Sequence, residues 1–312
     1  MIQDTYALSL RGCHTAIVTP FATDGTIDYP ALDRLIDRQL EAHINGIVLL
    51  GTTGENPTIT RTERTKLIEH TVGYVNGRAL VIVGTGSNST QEALELTQEA
   101  ARLGADAALV AAPAYNKPTQ TGLQAHFLHL AEHGGLPIVV YNVPGRSAVN
   151  IEPATVAALA AHPQIVAIKE ASGALEQIHS IIEQVPSNFA VLSGDDAMTL
   201  PLIRAGGVGV VSVLSNLYPW RMNDLVHASL DGDTLTARAA HDRLLPMMHA
   251  CFIQTNPLPI KTALAERGLI KEVFRLPLCP MDAPQRQELV ASVQRFDTQS
   301  SDARPDQLAR AA

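Results

Sequence analysis

The stretch IVAIKEAS at positions 165–172, with ALEQIHSIIEQV at 174–185 behind it, decides the fold. Its first part is an unbroken apolar run, as a strand covered on both faces requires. A single lysine, Lys169, interrupts that run near its end. The part that follows reads at helical period, so the unit is a strand and its returning helix. The same alternation recurs in both directions. CHTAIVT (13–19), GIVLLG (46–51), LVIVGTG (80–86), AALVAAP (107–113) and PIVVYNV (137–143) precede it, and FAVLSGD (189–195) and VGVVSVLSN (208–216) follow it, each with a helical segment behind. Eight strand–helix units are complete by Leu230. A doubly wound open sheet usually has fewer strands, so the expected fold is α/β, a (β/α)8 TIM barrel over residues 10–230.

Local signals punctuate the units. Ser89 or Thr90 can cap the helix that begins there, with Glu92 near the capping-box position. Gly104, Gly134–Gly135 and Gly206–Gly207 close helices, where the chain needs positive φ. Beyond the barrel, TLTARAAHDRLLPMMHACF, PLPIKTALAERGL and APQRQELVASVQRF read as three helices. They define a C-terminal helical extension, residues 231–298, packed on the outside. The polar segment from 299 to 312 is expected to be disordered.

Composition excludes several classes. A net charge of −8 argues against a nucleic-acid binder, which carries basic patches. Cys13, Cys251 and Cys279 form no zinc or CxxC spacing and read as small buried hydrophobes in a reducing compartment. The first residues, MIQDTYALSLRG, lack a basic region and a sustained apolar run, and no stretch of 18 apolar residues occurs. A cytoplasmic protein with no membrane partner is expected.

Barrel enzymes carry their chemistry where the strands end. The polar residues at those ends are Thr52 and Thr53 in GTTGE (51–55), Tyr115, Tyr141 and Arg146 around YNVPGR (141–146), Lys169 with Glu170, and SGDD (193–196). Of five lysines, only Lys169 falls inside a strand run. Lysine is seldom fully buried, because burial disfavours the ammonium. A lysine placed there is either an imine-forming nucleophile or the partner of an acid such as Glu170. The Gly-bracketed GTTGE turn offers hydroxyls and N–H groups suited to a carboxylate, or is simply a tight turn. It is no P-loop, because no Gly-Lys-Ser/Thr follows. Tyr141 and Tyr115 can relay protons or be packed aromatics, and Arg146 has a donor fork matched to a carboxylate or is a solvated charge.

GTTGE, YNVPGR, IKEAS, SGDD and GGVGVVS occur together, in order, between about Gly12 and Val293. This set resembles the dihydrodipicolinate synthase / N-acetylneuraminate lyase superfamily of Schiff-base-forming pyruvate enzymes. The resemblance implies that Lys169 attacks the pyruvate ketone and that Thr52 and Thr53 hold its carboxylate. It implies Tyr141 as proton donor and acceptor, linked through Thr52 to a Tyr115 that reaches in from a neighbouring subunit. A homo-oligomer, a dimer of dimers, is thereby implied. Arg146 matches the position that binds the second substrate's carboxylate, and Gly194 and Val211 match backbone positions lining the pyruvate pocket. The Thr-Thr pair and Arg146 resemble the members that condense pyruvate with L-aspartate 4-semialdehyde to 4-hydroxy-tetrahydrodipicolinate. The alternatives are another pyruvate-dependent aldolase or dehydratase acting on a sugar acid or other 2-oxo acid, and a catalytically silent barrel that binds.

Some positions depart from the pattern. Ala114 stands where a second tyrosine is common, and Ser147 where threonine is. Among the positions matching the family's lysine contacts, Asn56, Pro57, Arg61, Arg64, Asn88, Glu92 and Ala114, only Asn88 and Glu92 look like those of regulated members. Insensitivity to lysine is therefore expected. No cofactor or metal is called for, since the protonated imine is itself the electron sink. His126, His129 and His133 have ligand spacing but lie on an outer helix, where solvated or partly packed roles are expected. Asp195–Asp196 open a helix, where capping is the economical role.

Overall fold

A computed structural model describes residues 8–299. Eight parallel strands close into a barrel in sequence order, with β1 hydrogen-bonded to both β2 and β8. The strands are β1 (Gly12–Ala16), β2 (Gly46–Leu49), β3 (Leu80–Gly84), β4 (Ala107–Ala111), β5 (Ile138–Asn142), β6 (Ile165–Glu170), β7 (Ala190–Ser193) and β8 (Gly209–Ser212). Each is shorter than the run quoted for it. The (β/α)8 expectation holds.

The connecting helices are α1 (Tyr29–Glu41), α2 (Arg61–Val75), α3 (Thr90–Arg102), α4 (Gln120–His133), the single turn α5 (Pro144–Ser147), α6 (Pro153–Ala160), α7 (Leu175–Gln184), α8 (Thr199–Ala205) and α9 (Pro219–Leu230). The first shows why these segments fold as they do. The Asp28 carboxylate accepts the Ala31 N–H at 3.0 Å and fixes its start. Ala31, Leu32, Leu35 and Ile36 then form one buried stripe against the sheet. At α2, Thr60 and Glu63 form a reciprocal capping box. Ser89, not Thr90, caps α3. Gly104 and Gly206 leave their helices at φ +85° and +115°.

Two apolar layers result. Inside the barrel, Ala16, Val48, Ile82, Leu109, Val139, Ala167, Leu192 and Val211 pack together with Tyr141. A larger core fills the space between strands and helices, and includes Ile47, Val83, Val110 and Ile168. Residues alternating along each strand supply the two layers.

Three further helices, α10 (Thr234–Ala250), α11 (Leu258–Glu266) and α12 (Ala283–Gln299), lie outside the ring. Leu289, Val293 and Phe296 are the buried face of α12, and Tyr218 packs on Phe296 with ring centroids 4.7 Å apart. The links between these helices return to the mouth of the barrel, and α11 reaches it through Lys261. Arg275 is ion-paired with Glu63 and donates to the carbonyl of Gly25 at 2.8 Å, so the segment before α12 is tied to α2 and to the β1–α1 loop. Residues 300–312, which make up nearly all of the polar tail, and the first seven residues read for a leader lie outside the described residues. Among the described residues no helix is long and apolar enough to cross a membrane.

Candidate active site

Lys169 is the next-to-last residue of β6, and Tyr141 the next-to-last of β5. They are register partners, so both side chains point into the barrel. The Lys169 side chain is buried, and Nζ lies 4.1 Å from the centroid of the Tyr141 ring. Among the described residues its ammonium has no carboxylate partner. Glu170, the alternative partner by sequence, faces the other way. Its carboxylate accepts from Asn142 Nδ2 at 2.9 Å, from the Ser172 N–H at 2.6 Å and from Gln177 Nε2 at 3.3 Å. The lysine is thus left unpaired for the site, and the acid serves the strand ends.

Gly194 shows how closely that lysine is enclosed. A Cβ built on it would stand 2.7 Å from Ala171 Cβ and 3.0 Å from Lys169 Cε. A larger residue would displace the aliphatic stem that carries the amine. Val211, on β8, belongs to the same inward layer as Tyr141.

Beside Tyr141 lies a cavity of about 380 Å³, whose walls do not include Lys169, Gly194 or Val211. Thr52, Tyr141, Arg146 and Asn256 are among its walls, so three of the residues singled out by sequence meet there. Arg146 reaches it from α5 and donates from Nη2 to the Asn256 carbonyl at 3.3 Å. Thr53 is buried, and its Oγ1 accepts from Asn256 Nδ2 at 2.9 Å. Tyr115 stands apart, with φ +69° and 89 % exposure, and is not among the cavity walls. Ala114, next to it, does line the cavity.

The GTTGE turn is held from below by a contact that sequence reading missed. Glu55, at φ +56°, is fully buried and ion-paired with Lys261 of α11, also fully buried. Burial pushes the Lys261 ammonium toward its neutral form, and the Glu55 carboxylate opposes this. Lys261 also donates to the Val273 carbonyl at 2.7 Å and sits 4.3 Å from the Phe21 ring centroid. Among the described residues two lysines are thus buried at the mouth, Lys261 paired with an acid and Lys169 not.

Other expectations need correction. Asp195 caps the turn that starts at Asp196, accepting from the Ala197 N–H at 2.9 Å. Asp196 does not cap. It is buried, and its Oδ2 accepts the N–H groups of Val213 and Leu214 at 3.0 and 2.9 Å, fixing the loop after β8. Burial raises its carboxyl to about 6. Cys13 and Cys251 are buried, but Cys279 is exposed, since it lies in the segment that arches over the mouth. His126 is buried and bonded to Thr90 Oγ1 at 2.9 Å, and burial lowers it to about 4. His129 and His133 meet edge to face, with ring centroids 4.7 Å apart. Among the described residues no group of three or more His, Cys, Asp or Glu is placed to hold a metal.

Known proteins share this architecture along almost the whole chain. Residues 9–296 match the model of the dihydrodipicolinate synthetase family. A 4-hydroxy-tetrahydrodipicolinate synthase of Koribacter versatilis is 48 % identical over 283 residues, covering 90 % of this chain and 94 % of that protein. The namesake enzyme of Thermodesulfovibrio yellowstonii is 50 % identical over 279 residues, covering 89 % and 96 %. The solved 4-hydroxy-tetrahydrodipicolinate synthase of Methylacidiphilum fumariolicum superposes with a TM-score of 0.91 at 44 % identity, over 93 % of this chain and 97 % of that one. At that identity and coverage, likeness of fold and likeness of sequence point the same way, and the chain belongs to the dihydrodipicolinate synthetase family.

Proposed function

We propose that this protein condenses pyruvate with L-aspartate 4-semialdehyde to give 4-hydroxy-tetrahydrodipicolinate, through a Schiff base on Lys169. One observation carries the chemistry. A buried lysine with no acidic partner among the described residues lies against a buried tyrosine at the C-terminal end of a closed barrel. The names of the curated relatives support the choice of second substrate.

The steps follow from the geometry. The neutral Lys169 amine attacks the ketone carbon of pyruvate, and the carbinolamine loses water to give a protonated imine. Tyr141, beside the amine, passes the protons that these steps release and consume. Loss of a methyl proton then gives an enamine, with the imine nitrogen as electron sink. Thr52 and Thr53 hold the carboxylate through the turn that the Glu55–Lys261 pair supports. The enamine carbon bonds to the aldehyde carbon of the second substrate, whose carboxylate meets the Arg146 fork. The aldehyde oxygen takes back, by way of Tyr141, the proton lost from the methyl group and becomes the hydroxyl. The substrate's amino group displaces Lys169 from the imine carbon, which closes the ring and frees the enzyme.

Tyr115 takes part in this reading only from a second copy of the chain, because in its own subunit it is turned to solvent. A homo-oligomer whose partner tyrosine completes the relay is therefore part of the proposal. Incubation with pyruvate and L-aspartate 4-semialdehyde, followed by mass spectrometry, tests the activity. Cyclic product is expected. Turnover of a sugar acid in its place would assign the barrel to another aldolase or dehydratase.

A further inference from the structure

The cavity has one wall from outside the barrel, and Asn256 is its buried polar member. Asn256 lies in the link between α10 and α11, 203 residues from the Thr53 that it contacts. It touches both carboxylate-binding groups by different atoms. Its side-chain Nδ2 donates to Thr53 Oγ1 at 2.9 Å, whereas its main-chain carbonyl accepts from Arg146 at 3.3 Å. Its Oδ1 is buried with no partner among the described residues. An unpaired buried acceptor costs stability, and such atoms in native structures call for an explanation other than packing.

The other atom of the same amide, Nδ2, makes the bond to Thr53, and the direction of that bond sets what the hydroxyl can give. A hydroxyl has one hydrogen to give and two acceptor lobes. With one lobe filled by the Asn256 amide, the Thr53 hydrogen is free to be given elsewhere. A carboxylate can only accept, so it needs that hydrogen. We propose that Asn256 is a positioning residue for pyruvate binding: its amide sets the Thr53 hydroxyl as a donor to the pyruvate carboxylate. This rests on the Schiff-base reading of the site. Asn256 itself does not touch the reacting atoms.

The two contacts make the role separable. Side-chain substitution removes the link to Thr53 but leaves the main-chain carbonyl that meets Arg146. Asn256→Ala is expected to raise the half-saturating pyruvate concentration about five-fold, the loss of one ordinary hydrogen bond. Asn256→Asp keeps the shape but offers only acceptors, so it draws the Thr53 hydrogen to itself and places a negative charge beside the carboxylate. An increase of about 30-fold or more is expected, as for a bond to a charged group. For both, KM for the aldehyde acid should stay within about two-fold, since the Arg146 contact is to backbone. Thr53→Val combined with Asn256→Ala should be no worse for pyruvate than Thr53→Val alone.

The readout is saturation of borohydride-trapped pyruvate adduct by mass spectrometry, alongside steady-state KM values and thermal melts. If wild type traps no pyruvate, the Schiff-base reading fails and the inference falls with it. If wild type traps but Asn256→Ala and Asn256→Asp saturate at the wild-type pyruvate concentration, with only their melting points lowered, Asn256 is structural and the inference alone is overturned. Should the alanine variant not fold, the near-isosteric aspartate variant carries the same comparison.

Discussion

Tyr141 and Lys169 are partners in the β5–β6 register, and the lysine Nζ lies 4.1 Å from the centre of the tyrosine ring. Adjacent parallel strands thus hold the two groups at one height inside the barrel, without a loop between them. Such placement leaves little freedom for the two groups to drift apart. Tyr141→Phe should keep the barrel and the packing of the ring but lower kcat by about 10²–10⁴, the usual worth of a positioned proton carrier. Steady-state kinetics with pyruvate and L-aspartate 4-semialdehyde measure it. A variant within a few-fold of wild type would remove Tyr141 from the proton path.

Gly194 makes room for the lysine stem. In Gly194→Ala the new methyl meets Lys169 Cε and Ala171 Cβ closer than packing allows. The expected cost is about 1–3 kcal/mol of stability, with a slower rate of imine trapping. A thermal melt and a trapping time course separate the two effects. Unchanged trapping with a lowered melting point would mean that the strand, not the lysine, absorbs the strain.

The Glu55–Lys261 pair is fully buried, so removing one member leaves a buried charge without its counter-ion. Lys261→Met should cost about 3–5 kcal/mol, whereas pairing it with Glu55→Gln should recover a large part of that loss. Denaturant melts of the single and double variants provide the comparison. A double variant no better than Lys261→Met would show that the two side chains do not act as a pair.

Acid should loosen the tie between Arg275 and α2. The hydrogen bond from the Arg275 guanidinium holds the Glu63 carboxyl down at about 2. A carboxyl whose folded value is depressed stabilises the fold above its unfolded value of about 4.3 and loses that contribution as pH falls toward the folded value. Glutamine can still fill the capping box but cannot ionise. The stability difference between wild type and Glu63→Gln should therefore be largest above about pH 5 and fade by about pH 2. A difference independent of pH would contradict the assignment.

Lysine should not regulate this enzyme. Arg61 is engaged with Glu92 at 3.3 Å, and Ala114 brings no aromatic face to the cavity. Rates with and without added L-lysine test this. Strong inhibition by sub-millimolar lysine would refute it.

The barrel was legible because its signal is local and repeated. Eight apolar runs, each with a helical segment behind, leave few folds to choose from. Lys169 was legible because its charge interrupts one of those runs. Lys261 and Asn256 were not, although the first is at least as buried as Lys169. Lys261 sits in an outer helix, where a lysine is ordinary, and its partner Glu55 is 206 residues away. Asn256 likewise meets Thr53 across 203 residues. No spacing rule announces such contacts, since only closure of the barrel and docking of the extension create them. Asp196 was misread for a related reason. It occupies a capping position in sequence, yet Val213 and Leu214, brought close by the neighbouring strand, offer it two N–H groups.

The central claim is that Lys169 forms the imine. Borohydride reduction in the presence of pyruvate, followed by intact and peptide mass spectrometry, addresses it directly, with Lys169→Ala as control. The account predicts one reduced pyruvate adduct per chain, on the peptide containing Lys169, and none in the variant. A folded wild-type protein that gains no adduct, or gains it on Lys261 instead, would contradict it.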